Sequence, residues 1–167
     1  MLKDKVVIIT GGAGRLGQVF VREVIKNNAI AVIIDINSKS LNQFSETLKR
    51  ENYTNFKTFP LDICSKKSIV GLIDELHDEY KKVDALINNA YPRNQNFGRK
   101  MWDVEYDDFC TNLSRHVGGY FLMSQLMSAY FVKQGYGNII NISSIYGIIA
   151  PRFEIYKNTD MTMPVEY

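Results

Sequence analysis

Cysteine is scarce in this 167-residue sequence: Cys64 and Cys110 are the two present, and they stand far apart. Isolated thiols of this kind provide neither a disulfide framework nor a metal-ligand spacing. No metal site is therefore expected, and a reduced, cytoplasmic setting is. No charge of one sign dominates either, since 20 basic residues meet 18 acidic ones in a scattered pattern with a net charge of +2. That leaves no electrostatic footprint for nucleic acid or for an anionic membrane as a partner. No apolar run approaches membrane-spanning length, and no signal-peptide pattern precedes the first strand-like run. Solenoid repeats and low-complexity tracts are absent as well. What remains is 46% hydrophobic and 23% charged, the composition of one globular domain with a substantial core.

The hydrophobic pattern alternates between two periods. Val6-Val7-Ile8-Ile9 is continuously apolar and β-branched, as suits a strand buried on both faces of a parallel sheet. Leu16, Val19, Phe20 and Val24 then recur at helical spacing, and Asn27-Asn28 ends that helix. Ala31 to Ile34 reads as a second strand closed by Asp35. Ser38 is placed to cap a helix carrying Leu41, Phe44 and Leu48 on one face. A third strand is expected over 56–61, a helix capped by Ser65, a fourth strand over 85–87, a long helix from about 102 to 133, and a fifth strand over 138–142. Residues 143–167 show no clear period. Strands alternating with helices imply right-handed parallel βαβ units. The expected fold class is therefore α/β, a Rossmann-like doubly wound parallel sheet, built as a single domain over 1–167. With five strands it is expected to stop before the later strands of such a sheet.

The chemistry-bearing signal sits at the first strand-to-helix turn. Gly12-Ala13-Gly14-Arg15-Leu16-Gly17 satisfies G-x-G-x-x-G, directly after a strand and opening a helix. Glycines let the chain turn tightly and let its backbone approach a pyrophosphate, which the helix N-terminus attracts. Asp35, at the end of the second strand, lies 18 residues past Gly17. An acid there accepts hydrogen bonds from the adenosine ribose and repels a 2′-phosphate. NAD is accordingly expected as cofactor, with NADP the less favoured alternative. Arg15 argues the other way, since a basic residue in the loop can meet a 2′-phosphate.

Thr10-Gly11-Gly12-Ala13-Gly14-Arg15-Leu16-Gly17 resembles the opening motif of the short-chain dehydrogenases/reductases, T-G-x-x-G-x-x-G. Three further segments match that family in order: Asp62-Ile63 after the third strand, Asn88-Asn89-Ala90 at the end of the fourth, and Asn141 to Gly147 at the fifth. The resemblance implies that Asp62 and Ile63 contact adenine, that Asn89 and Ala90 line the cofactor site, and that Ser144 polarises a substrate oxygen. Tyr91 departs from the pattern, since the family usually has glycine there. Within the family, the chain is similar to bacterial dehydrogenases of surface-sugar and flagellin-glycosylation pathways.

The rest of the catalytic set is open. The resemblance implies a tyrosine as proton acceptor with a lysine four residues on to lower its pKa. Tyr156 falls twelve residues after Ser144, matching the family spacing, but Asp160 stands where the lysine should. Tyr167, reached through Val165-Glu166, falls twenty-three residues after Ser144, which implies an insertion of roughly ten residues. Tyr167 is the preferred candidate. Counting back from Gly119-Tyr120-Phe121-Leu122, the family's helical asparagine falls on His116, while Asn112 lies four residues earlier on the same face. Both remain candidates, His116 equally as a packing residue. Arg93, Arg99 and Lys100 in the loop after the fourth strand can hold a phosphorylated or nucleotide-linked substrate, although solvated loop charge is the favoured reading. The resemblance thus implies hydride transfer to or from an alcohol or ketone, with a sugar derivative or sugar nucleotide as the candidate substrate, in a homo-oligomeric parent. A fragment inactive by itself is expected, and a non-catalytic nucleotide-binding module is the alternative.

Overall fold

The structure, a computed structural model, describes residues 1–150 and 152–159. Five strands form one parallel sheet in the order β3-β2-β1-β4-β5, where β1 is Val6–Thr10, β2 Ile30–Asp35, β3 Phe56–Pro60, β4 Ala85–Asn88 and β5 Asn138–Asn141. Four helices connect them: α1 (Arg15–Lys26), α2 (Ser38–Arg50), α3 (Lys66–Tyr80) and α4 (Tyr106–Gln134). This is the α/β architecture read from the alternating pattern, with strand ends displaced by no more than a residue or two.

Why the strands read as unbroken apolar runs follows from the layers. Val6, Ile8, Val32 and Ile34 face one side, where they pack against Ile69, Leu72 and Leu76 of α3 and Met123 and Met127 of α4. Val7, Ile9, Ala31 and Ile33 face the other, against Val21, Val24 and Ile25 of α1 and Leu41, Phe44 and Leu48 of α2. Both faces of β1 and β2 are thus dry, and each large side chain there contributes about 1.5–3 kcal/mol by its burial. At the opposite end from the glycine turn, Asp84 ties the sheet together. Its carboxylate accepts from the Val6 N–H at 2.9 Å and pairs with the Lys5 ammonium at 2.7 Å. Burial alone would raise this carboxyl group, but the hydrogen bonds from Lys5 and Val6 overcome it and hold the group below its ordinary value.

Two helix starts differ from the sequence expectation. Asn37, not Ser38, caps α2: its side chain accepts from the Ser40 N–H at 3.0 Å, and Ser38 is already helical. The Asn37 N–H is itself given to Asp35 at 3.0 Å, and that local turn sets the cap one residue early. The long helix begins at Tyr106 rather than near Trp102. Met101–Asp103 is an isolated 3-10 turn, and Val104 and Glu105 are extended before α4 starts. The cause is the preceding loop, which is fastened to α4: Asn94 and Asn96 both donate to Asp108, and the Asn94 N–H donates to Asn112. Ser65 caps α3 as expected, accepting from the Ser68 N–H.

β2 and β3 lie to one side of β1, β4 and β5 to the other, so the chain reverses its direction of travel between β1 and β4. Open α/β sheets bind ligands in the crevice that this reversal opens at the carboxyl ends of the strands.

Candidate cofactor groove and active site

A groove of about 490 Å³ runs along that edge, lined by Gly11, Gly14, Arg15, Leu16, Asp35, Asp62, Ile63, Asn89, Ala90 and Arg93 among others. The glycine turn forms one wall, and its glycines have separate duties. Gly11 sits at φ +63°, and a Cβ on it would meet the Ala90 backbone at 2.8 Å. A Cβ on Gly12 would press on Ile33 at 2.6 Å, and one on Gly17 would lie 2.2 Å from the Gly11 carbonyl oxygen. These positions let the turn close on the sheet and on itself. Gly12 and Gly17 do not line the groove, so of the two duties expected of the glycines they carry the tight turn. Gly14 does line it, and a Cβ there would meet nothing closer than the Gly11 oxygen at 3.1 Å. The helix that Gly14 opens has no side-chain cap, whereas α2 and α3 are capped by Asn37 and Ser65. Its first-turn N–H groups are thereby left for an anion, and the groove fits a diphosphate there.

Thr10 forms the floor, and Asn89 both braces it and lines the groove. The buried Thr10 hydroxyl accepts the N–H groups of Asn89 and Ala90, both at 3.0 Å. The Asn89 side chain donates to the Thr10 and Gly11 carbonyl oxygens at 3.0 and 3.2 Å. Together they staple β1 to β4 at the switch point, which fixes the groove's width. The Thr10 side chain is fully buried and does not reach the groove.

Asp35 and Asp62 sit farther along. Asp35 accepts from the Ala13 N–H at 3.2 Å through one oxygen and from Asn37 through the other. Each carboxylate oxygen keeps a second lone pair, so Asp35 can hold its turn and still accept a ribose hydroxyl. Asp62 accepts from the Cys64 N–H at 2.9 Å, and Ile63 packs beneath.

A second pocket of about 670 Å³ adjoins the groove and shares Leu16, Asn89 and Tyr91 with it. Ser143 and Ser144 line it from the end of β5, with His116, Tyr120, Phe121 and Ser124 from α4 and Asn141 from β5. The Ser144 oxygen accepts the Tyr146 N–H at 3.2 Å, which opens the 3-10 turn Ile145–Gly147 and leaves the hydroxyl proton to be donated. His116 lies edge-on between Tyr91 at 4.5 Å and Tyr120 at 5.0 Å. Burial pushes its imidazole below the ordinary value, so the ring is neutral at neutral pH.

The structure separates the other candidates. Asn112 is on the face of α4 shared with His116, but it is buried under the loop after β4, with its side-chain oxygen taken by Asn94 at 2.8 Å. It does not line the pocket. Tyr156 ends a 3-10 turn, Phe153–Tyr156, and does not line the pocket with Ser144. Tyr167 lies outside the described residues. Tyr120, Phe121 and Ser124 escaped the sequence reading, although four-residue steps from His116 reach Tyr120 and then Ser124. Of the loop's basic residues, Arg99 pairs with Asp108 at 3.4 Å, and Arg93 faces the groove. Among the described residues, no helix is long and apolar enough to cross a membrane.

Comparison with known proteins agrees with this fold. The family model for short chain dehydrogenases matches residues 5–158. The post-translational flagellin modification protein A of Campylobacter coli is 38% identical over 168 residues, covering 100% of this chain and 66% of the relative. Sorbitol-6-phosphate 2-dehydrogenase of Klebsiella pneumoniae is 29% identical, covering 88% of this chain and 54% of the relative. Among solved structures, an NAD+-bound xylitol dehydrogenase superposes with a TM-score of 0.80 at 25% identity, over 90% of this chain and 56% of that one. A short chain dehydrogenase from Bacillus anthracis gives 0.81 at 27% identity, over 90% and 59%. The chain therefore spans between about half and two thirds of the length of these relatives.

Proposed function

The chain belongs to the short chain dehydrogenase family, and from that premise we propose that the full-length protein is an NAD-dependent oxidoreductase acting on an alcohol or ketone of a sugar derivative. The observation that carries this reading is the junction of groove and pocket, with Ser144 in the pocket and the uncapped α1 on the groove. A nicotinamide dinucleotide, when bound, supplies the site that accepts or gives up hydride. Gly14 and the first turn of α1 hold its diphosphate, Asp35 its adenosine ribose, and Asp62, Ile63 and Ala90 its adenine. NAD rather than NADP follows from Asp35, whose negative charge repels a 2′-phosphate.

The chain's own residues then act on the substrate. Ser144 donates its hydroxyl proton to the substrate oxygen and stabilises the charge that develops there. Tyr167 takes the alcohol proton, which requires a neighbouring positive charge because a phenol ordinarily titrates near pH ~10. His116, neutral in the pocket wall, holds a substrate hydroxyl or relays the proton. The aromatic wall of Tyr91, Tyr120 and Phe121 beside Ser143, Ser144 and Asn141 suits a ring with apolar faces and hydroxyl edges, as sugars have. The names of the flagellin-modification and sorbitol-6-phosphate relatives agree with a carbohydrate substrate. The test is NADH formation by the full-length protein across a panel of sugar alcohols. Ser144→Ala should lower kcat by about a hundredfold or more, and a fully active variant would overturn the assignment.

A further inference from the structure

Two arginines stand on the same groove, Arg15 on the first turn of α1 and Arg93 in the loop after β4. Two other arginines are committed to acids: Arg22 pairs with Glu51 at 2.9 Å and Arg99, in the same loop as Arg93, with Asp108 at 3.4 Å. Among the described residues, neither Arg15 nor Arg93 has an acidic partner. The two carboxylates of the groove bond to the backbone instead, Asp35 to the N–H groups of Ala13 and Asn37 and Asp62 to that of Cys64, and neither forms an ion pair with Arg15 or Arg93 among the described residues. The groove therefore offers two uncommitted guanidinium groups, one from each strand-to-helix connection that flanks the switch point.

Arg93 is also held in place. Its guanidinium lies over the Phe97 ring, 5.2 Å from the centroid, and Phe97 meets Tyr91 edge-on at 5.3 Å. The bonds of Asn94 and Asn96 to Asp108 and Asn112 fix the backbone on either side of that stack. A guanidinium placed this way loses little freedom on taking a phosphate, and its planar fork suits two phosphate oxygens. On the same groove, α1 presents its uncapped N-terminus.

Resting on the dinucleotide reading above, we propose that Arg93 is a phosphate-binding residue that closes over the cofactor diphosphate from the side opposite α1, with Arg15 flanking it. The helix N-terminus alone leaves one side of a diphosphate to water. Arg93 supplies the donors for that side, and its interaction is screened by salt.

The experiment measures binding of NADH, ADP and, by competition, adenosine to the full-length protein. Arg93→Gln should weaken NADH and ADP by about tenfold, the size of one charge-assisted contact, and leave adenosine and the melting temperature unchanged. Arg93→Lys should restore part of the loss, and raising salt should narrow the gap between wild type and Arg93→Gln. Lys100→Gln removes the same charge from the same loop without lining the groove, and should change none of the three affinities. Equal losses for all three ligands, or a matching effect of Lys100→Gln, would each overturn the clamp. Wild-type protein that binds none of these ligands would instead overturn the cofactor reading itself. Wild-type binding untouched by Arg93→Gln would overturn the clamp alone.

Discussion

Replacing Gly17 by alanine would place a methyl carbon 2.2 Å from the Gly11 carbonyl oxygen, 2.7 Å from the Gly12 Cα and 2.9 Å from the Gly11 carbonyl carbon. All three are backbone atoms of the turn, so none can rotate away as a side chain would. Overpacking costs about 1–3 kcal/mol, and backbone neighbours put this case near ~3. Alanine recovers roughly 1 kcal/mol of helix propensity, since the position lies inside α1. The net loss of about 2 kcal/mol corresponds to a melting temperature lower by roughly 4–8 °C for a protein of this size class. Gly14→Val is the matched contrast. Its Cβ has one neighbour, at 3.1 Å, and otherwise opens onto the groove. It should melt close to wild type while binding NADH at least about tenfold more weakly, because the side chain occupies the diphosphate's place. Thermal unfolding by circular dichroism, read beside NADH titration of the same full-length samples, separates the two effects. Gly17→Ala melting within about 1 °C of wild type would refute the packing argument. Gly14→Val binding NADH normally would refute the assignment of Gly14 to the ligand.

Asp35→Ala should erode the preference for NADH over NADPH, and a wild-type protein that prefers NADPH would contradict the role given to Asp35. In the full-length protein Tyr167→Phe should abolish turnover while Tyr156→Phe leaves it near wild type, and the reverse result would move the proton acceptor to Tyr156. Asp84→Ala should destabilise the fold by about 1–3 kcal/mol, because it leaves the buried Val6 N–H without its acceptor, whereas the exposed Lys5 ammonium returns to water. The folded-state pKa of Asp84 is depressed, so its stabilisation is fully present above the unfolded carboxyl value of ~3.9 and is lost as pH falls through the folded value. Urea unfolding at neutral and acid pH checks this, since the gap between wild type and Asp84→Ala should close on acidification, and a constant gap would refute it.

The two periods in the hydrophobic pattern, together with the capping and glycine signals, were enough to specify five parallel strands and the helices between them. Each strand's apolar run is a local consequence of being covered on both faces, so it is written in consecutive residues. The glycine turn and Asp35 were legible for the same reason, since strand, turn and helix follow one another along the chain. The distribution of labour inside those motifs was not legible. Gly12 and Gly17 serve the fold and Gly14 the groove because Ile33 and the Gly11 carbonyl lie behind two of them and open space before the third. Thr10 and Asn89 are hydrogen-bonded to each other's segments across 79 residues of sequence, which no local pattern records. Helical spacing put Asn112 and His116 on one face and could not rank them. The loop after β4 decides it by covering Asn112 and leaving His116 in the pocket, a contact made by residues 18 positions away. The commitment of Arg99 and the freedom of Arg93 depend likewise on where Asp108 lies in space. Composition and spacing fix which elements form and which chemistry is present; tertiary packing decides which of those groups are consumed in holding the structure and which are left to meet a ligand.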